Sequence, residues 1–364
     1  IQVNDTKTFN KKRAKQGLPI VSPIYTEKDA IDCMRLFIGV PWGMKFRIDD
    51  DIKVRFTNTG HMLGSSVVNL EITEDGEKKK IAYTGDIGRR SNLILARPVP
   101  FPQADYVITE ATYGNRLHTD VRETGEGLLA EVVNTCVNKK GKLIIPSFSV
   151  GRTQEIVYTL NNAFNAGKLP RVNIYVDSPL AVNATSVFRT HSECFNEDFQ
   201  KVLMSDDDPF GFSNLYYITR SEDSKRLNDE KNPCVIISAS GMMEAGRIKH
   251  HLANNISDPK NTVLAVGYCA PETLGAKILG GAKEVSIHGE IHAVNADIKK
   301  IDSYSGHGDY NEMKEFLLCQ DPKQVKQLFL VHGENDAQLF YAEELKKVGF
   351  SNITIPGKKQ EFEI

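Results

Sequence analysis

Four short clusters put a histidine or an aspartate on a glycine-bordered turn just after an apolar run. They are Gly60–Gly64 around His61, Thr84–Gly88 around Asp86, Ser305–Asp309 around His307, and Val331–Glu334 around His332. A fifth, Val107–Gly114, ends an apolar run on the carboxylate of Glu110. Glycine admits backbone conformations that let side chains on separate loops approach one point. His and Asp are common ligands of catalytic zinc, and a shared Asp can bridge two metals. Taken singly, each cluster is more simply a cap or a turn. Five at comparable strand ends are harder to dismiss, although periodicity alone does not show that they converge.

The elements that must position them alternate. Lys142–Pro146, Val172–Val176, Pro233–Ser238 and Thr262–Gly267 are short apolar runs of strand type. Each precedes a helix-like stretch, at Gly151–Leu160, Leu180–Thr190, Glu244–Asn254 and Leu274–Leu279 respectively. Such alternation predicts a parallel sheet with covering helices. Residues 125–138 place Leu128, Leu129, Val132, Val133 and Cys136 on one helical face. The first hundred residues read as β-rich, with strands at 54–57, 66–73 and 80–84 and a turn at Glu74–Glu77. The theme returns at the end in a strand at 327–331 and a helix at Ala337–Val348. A β-rich start, an α/β middle and a return predict one domain inserted in another.

At about 150 residues per domain, 364 residues make two to three domains. Lys plus Arg (45) nearly balances Asp plus Glu (47), so no global basic field attracts a polyanion and any such partner needs a local patch. No apolar run approaches the roughly 18 residues of a membrane span. The six cysteines are scattered with no CxxC pair, which suits free thiols in a reducing cytosol. A soluble, cytoplasmic protein is expected. No Gly-Lys pair is followed by Ser or Thr, no GxGxxG opens a helix, and no GxSxG elbow occurs, which argues against phosphate-loop, dinucleotide and serine-hydrolase chemistry. The basic runs at 11–15 and 78–80 read as solvated surface. The His250–His251 pair beside Arg247 reads as well for helix packing as for phosphate binding.

As a set, GHMLGSS, YTGDIGR, ITEATYGNR, PSFSVGRTQE, DSPLA, SASGMMEAGR, GYCAPETLG, YSGHGD and VHGE resemble the metallo-β-lactamase-fold nucleases of the β-CASP group. The likeness runs from about Tyr25 to the C-terminus and is strongest to the compact bacterial and archaeal RNA-degrading members. It implies an α/β protein: a metallo-β-lactamase αββα sandwich, incomplete at its N-terminus, formed by residues 1–114 and 301–364. A β-CASP domain of parallel sheet and helices, residues 115–300, is inserted in it.

The resemblance further implies a zinc-dependent ribonuclease, with two zinc ions sharing a hydroxide that attacks a phosphodiester of single-stranded RNA. His61 would bind one zinc, His332 the other, and Asp86 would bridge them. Glu110 and His307 would form the pair that moves a proton to the leaving group, giving a 5′-phosphate and a 3′-hydroxyl. Ser305, Arg152 and Arg247 are candidates for holding phosphates, and a homodimer is compatible with the family. Two other readings stay open: a non-cleaving RNA-binding or scaffold protein, and a metal-dependent hydrolase of small esters. One departure matters. The family's HxHxDH motif is absent, and none of the nine histidines forms an HxH. The expectation is that an N-terminal segment carrying it has been lost, leaving too few ligands for two zinc ions and negligible activity in this chain alone.

Overall fold

The computed structural model describes residues 2–118, 121–301 and 304–364, in two units, 1–44 and 45–364. The first unit is helical, which corrects the expected β-rich start. Helix Gln2–Lys15 is followed by helix Glu27–Met34, and strands begin only at Lys45. Helix 2–15 is polar on nearly every face, so it leaves no apolar stripe to read. Helix 27–34 opens on a capping box, in which Thr26 and Asp29 each bond the other's backbone N–H. Between the helices, the Asn10 side chain bonds both N–H and C=O of Val21 (3.0 and 2.8 Å).

The second unit holds two large sheets. In chain order its strands are β1 (Lys45–Arg47), β2 (Ile52–Asn58), β3 (Ser66–Glu74), β4 (Glu77–Tyr83), β5 (Tyr106–Glu110), β6 (Leu143–Pro146), β7 (Asn173–Val176), β8 (Leu215–Tyr217), β9 (Cys234–Ser238), β10 (Thr262–Ala265), β11 (Glu284–Ile287), β12 (Glu290–Ala293), β13 (Asp297–Lys300), β14 (Gln327–Val331) and β15 (Ile353–Thr354). One sheet has the order β1-β2-β3-β4-β5-β14-β15, antiparallel through β4 and parallel thereafter. The other, β13-β10-β6-β9-β7-β8, is parallel throughout. β11 and β12 form a separate hairpin.

The parallel sheet is covered on both faces, as its unbroken apolar strands require. Leu143, Ile145, Val235 and Ile237 point into one core, while Ile144, Cys234 and Ile236 point into another. The mixed sheet buries Val67, Ala82, Val107, Leu328 and Leu330 against helices Tyr310–Leu317 and Asn335–Lys347. Helix Val121–Val132 continues as π-helical turns over 133–138, and Leu128, Val132 and Cys136 are buried on it as the spacing predicts. The helix expected from Glu244 begins at Ile248 instead. The left-handed backbone of Met243 and Gly246 holds residues 241–247 in a loop. All six cysteines are free. Among the described residues, no helix is long and apolar enough to cross a membrane.

Candidate metal centre

β2 and β4 each pair antiparallel with β3, and β4, β5 and β14 are mutually parallel, so β2, β4, β5 and β14 run the same way. Their C-terminal ends therefore share one edge of the sheet. His61 follows β2, Asp86 follows β4, Glu110 ends β5, and His332 follows β14; Val331 stands opposite Glu110 in the β5–β14 register. His307 reaches the same edge from the loop before helix 310–317, tied by a bridge between Gly88 and His307.

Close backbone approach fixes these loops. Gly88 N–H donates to the Thr59 carbonyl (2.8 Å), and Gly308 N–H donates to that of Ile87 (2.8 Å). A Cβ on Gly88 would lie 2.1 Å from the carbonyl carbon and oxygen of Gly60 and 2.5 Å from the His61 nitrogen. Those are backbone atoms, so no rotamer change relieves the clash. Gly88→Ala is expected to cost about 1–3 kcal/mol of stability, read as a lower midpoint in urea unfolding. A midpoint equal to wild type would refute this account of the loop. His332 itself takes a left-handed backbone, φ 47°, and its carbonyl accepts from Ala111 N–H (3.0 Å).

Within the cluster, His332 Nδ1 lies 3.1 Å from Asp86 Oδ1, and His61 Nε2 lies 3.6 Å from Asp86 Oδ2. The second distance is too long for a hydrogen bond. The other His61 nitrogen, Nδ1, is buried without a hydrogen-bond partner. Burial, and then the neighbouring His307, hold the His61 pKa below its usual value, which keeps the ring in the neutral form a cation needs. Two sets of donor atoms, one from His61, Asp86 and His307 and one from Asp86, Glu110 and His332, each lie within 4.8 Å of one another. Asp86 is common to both. This nitrogen and carboxylate set fits a divalent cation.

His307 and Glu110 are engaged with each other. His307 Nδ1 sits 2.9 and 3.1 Å from the two Glu110 oxygens, and Glu110 also accepts from Ile87 N–H. Burial opposes charge on either partner, but the hydrogen bond between them prevails: the His307 pKa is raised and that of Glu110 is lowered. A buried carboxylate thus orients one ring nitrogen and leaves Nε2 for an incoming group. His61 and His307 pack with ring centroids 4.4 Å apart.

His61, Asp86, His307 and His332 line a cavity of about 290 Å³ with Arg152 and Ser305. Arg152 is ion-paired to Glu155 and lies over the Tyr304 ring at 5.3 Å. Arg247 is elsewhere: its guanidinium donates to Asp177 (2.6 Å) and to the carbonyls of Ile218 and Thr219 (3.3 and 2.7 Å). Both terminal nitrogens of this phosphate candidate are thus engaged, one by a buried carboxylate and both by the backbone. His251, four residues further on, is buried and meets the same Asp177 at 2.6 Å, so the packing alternative describes it.

Some contributors carry no sequence signal. Thr112 Oγ1 lies 3.2 Å from His332 Nδ1. His118 Nε2 meets the His307 carbonyl at 3.0 Å; burial, then Arg89, push its pKa down to about 4, so a neutral ring supports the His307 backbone. Thr112 lies inside the Val107–Gly114 cluster, where only Glu110 stood out as a candidate, and His118 lies outside all five clusters.

Comparison with known proteins identifies the family. Residues 153–278 match the Beta-Casp domain, and residues 291–356 match the family described as Zn-dependent metallo-hydrolase RNA specificity domain. The chain is 36% identical over 317 residues to Ribonuclease TTHA0252 of Thermus thermophilus, covering 87% of this chain and 70% of that protein. It is 35% identical over 320 residues to an RNase J-like protein of Methanocaldococcus jannaschii, covering 87% and 72%. The Transcription termination factor FttA of the same organism is 31% identical over 342 residues, 91% of this chain and 53% of that protein. The chain belongs to the metallo-β-lactamase-fold β-CASP ribonuclease family.

Proposed function

We propose that this protein is a zinc-dependent ribonuclease that hydrolyses phosphodiester bonds of single-stranded RNA. The observation that supports it best is the convergence of His61, Asp86 and His332 beside an oriented Glu110–His307 pair in one cavity. His61, Asp86 and His332 would hold the metal, with Asp86 shared between two ions. Zinc bound there lowers the pKa of water towards 7 and offsets phosphate charge. His307 Nε2 would pass a proton to the departing 3′-oxygen while Glu110 holds Nδ1–H, leaving a 5′-phosphate and a 3′-hydroxyl. Arg152 and Ser305 would face the phosphate. Residues 1–114 with 301–364 would form the metal-binding domain, and 115–300 the inserted one.

Three ligands are too few for two four-coordinate zinc ions. These 364 residues assayed by themselves are therefore expected to hold metal weakly and cut slowly, and the test uses the natural gene product. End-labelled RNA should be cut to fragments with 5′-phosphates, and elemental analysis should find zinc. Asp86→Ala should remove most of the metal and reduce cleavage at least 100-fold, the order of a lost catalytic metal function. RNA bound uncut by a metal-free protein would favour a scaffold. Small esters hydrolysed in preference to RNA would favour the other hydrolase class.

A further inference from the structure

Two aromatic rings in the cavity have no task in the chemistry above. Phe148 is 41% exposed and Tyr268 37% exposed, and both line the space that holds His61, Asp86 and His307. Phe148 follows β6 and Tyr268 follows β10; these strands are adjacent and parallel, with Thr262 opposite Leu143 and Val263 opposite Ile144. Their C-terminal loops thus leave the sheet side by side, at the edge where open parallel sheets bind ligands.

Phe148 is also fixed. Its carbonyl accepts from Thr153 N–H (3.2 Å) and Oγ1 (2.7 Å). Its ring lies on Gly241, where a Cβ would stand 2.9 Å from Cδ2 and Cε2. A single exposed aromatic needs no explanation. Two exposed rings from neighbouring strand ends, one of them fixed, opening into a cavity with an arginine, match the platform on which unpaired bases stack.

We infer that Phe148 and Tyr268 form a base-stacking subsite that holds unpaired bases of the strand whose phosphate enters the metal centre. This rests on the RNA-cleaving reading. Stacking uses the π-face common to every base, so the subsite selects single strands over duplex without choosing a sequence.

The test is equilibrium binding of a short single-stranded oligoribonucleotide carrying 2-aminopurine, in EDTA so that nothing is cut. Wild type should quench the fluorophore. Phe148→Leu should lose the quench and bind roughly 5- to 100-fold more weakly, the effect of removing one stacked base. Tyr268→Leu should act likewise, and Phe148→Tyr should restore wild-type behaviour. Replacing the quenched base by an abasic ribose should weaken wild type and leave Phe148→Leu no weaker. Unchanged affinity and quench in both leucine variants would overturn the subsite while the ribonuclease reading stands. Wild type that binds no RNA would remove that reading, and the subsite with it. Should a leucine variant lose its fold by circular dichroism, the abasic strand on wild type decides: undiminished affinity overturns the proposal.

Discussion

Replacing His307 by alanine is expected to lower the rate of RNA cleavage by about 10²- to 10⁴-fold while leaving bound zinc nearly unchanged, the range for loss of a general acid. Nδ1 is held at 2.9 and 3.1 Å by both oxygens of Glu110, a side chain only 1% exposed. A ring nitrogen so occupied is poorly placed to bind a cation, whereas Nε2 remains for the leaving group. Burial opposes charge on the ring, but the hydrogen bond and charge of Glu110 raise its pKa, which favours the protonated form that a general acid needs. Glu110→Gln keeps the shape and removes the charge, so it should give a smaller loss with the same metal content. Single-turnover kinetics beside elemental analysis make the measurement. Equal loss of zinc in His307→Ala would move His307 to the ligand set that its proximity to His61 and Asp86 also permits.

The parallel sheet was legible because each of β6, β7, β9 and β10 is a short apolar run, and buried strands need no alternation. The donors were legible too, as glycine-bordered residues after such runs. Their convergence was not. It depends on β14 returning beside β5 after more than two hundred residues, and on the sheet order, which no local spacing encodes. Helix 2–15 escaped because it has no apolar stripe. The capping box at Thr26 was a readable signal for helix 27–34. Met243 and Gly246 delayed the helix that follows Arg247 by four residues. Arg247 offered no local signal either way: Asp177, its partner, lies 70 residues away, so an arginine committed to a carboxylate and one open to a ligand look alike in sequence.

That commitment carries the second large expectation. Asp177 is fully buried, and its carboxylate accepts from Ser224 Oγ, Arg247 Nη1 and His251 Nε2, each at 2.6 Å. Asp177→Asn keeps the volume but turns an amide donor towards three donors. Removing one partner of a buried pair costs about 3–5 kcal/mol, a fall in Tm on the order of 10 °C. Burial alone would raise the Asp177 pKa; the hydrogen bonds from His251, Ser224 and Arg247 outweigh it and lower the value below 3.8. The stabilisation is therefore fully present above the unfolded value and disappears as pH falls through the lower folded one. The gap between wild type and Asp177→Asn should be widest near neutrality and should close in acid. A gap that is absent at neutral pH would show that the cluster contributes nothing to stability. Arg247→Met should weaken the same clamp and leave RNA affinity intact at temperatures where the protein is folded. A loss of RNA affinity without loss of stability would instead return Arg247 to the phosphate.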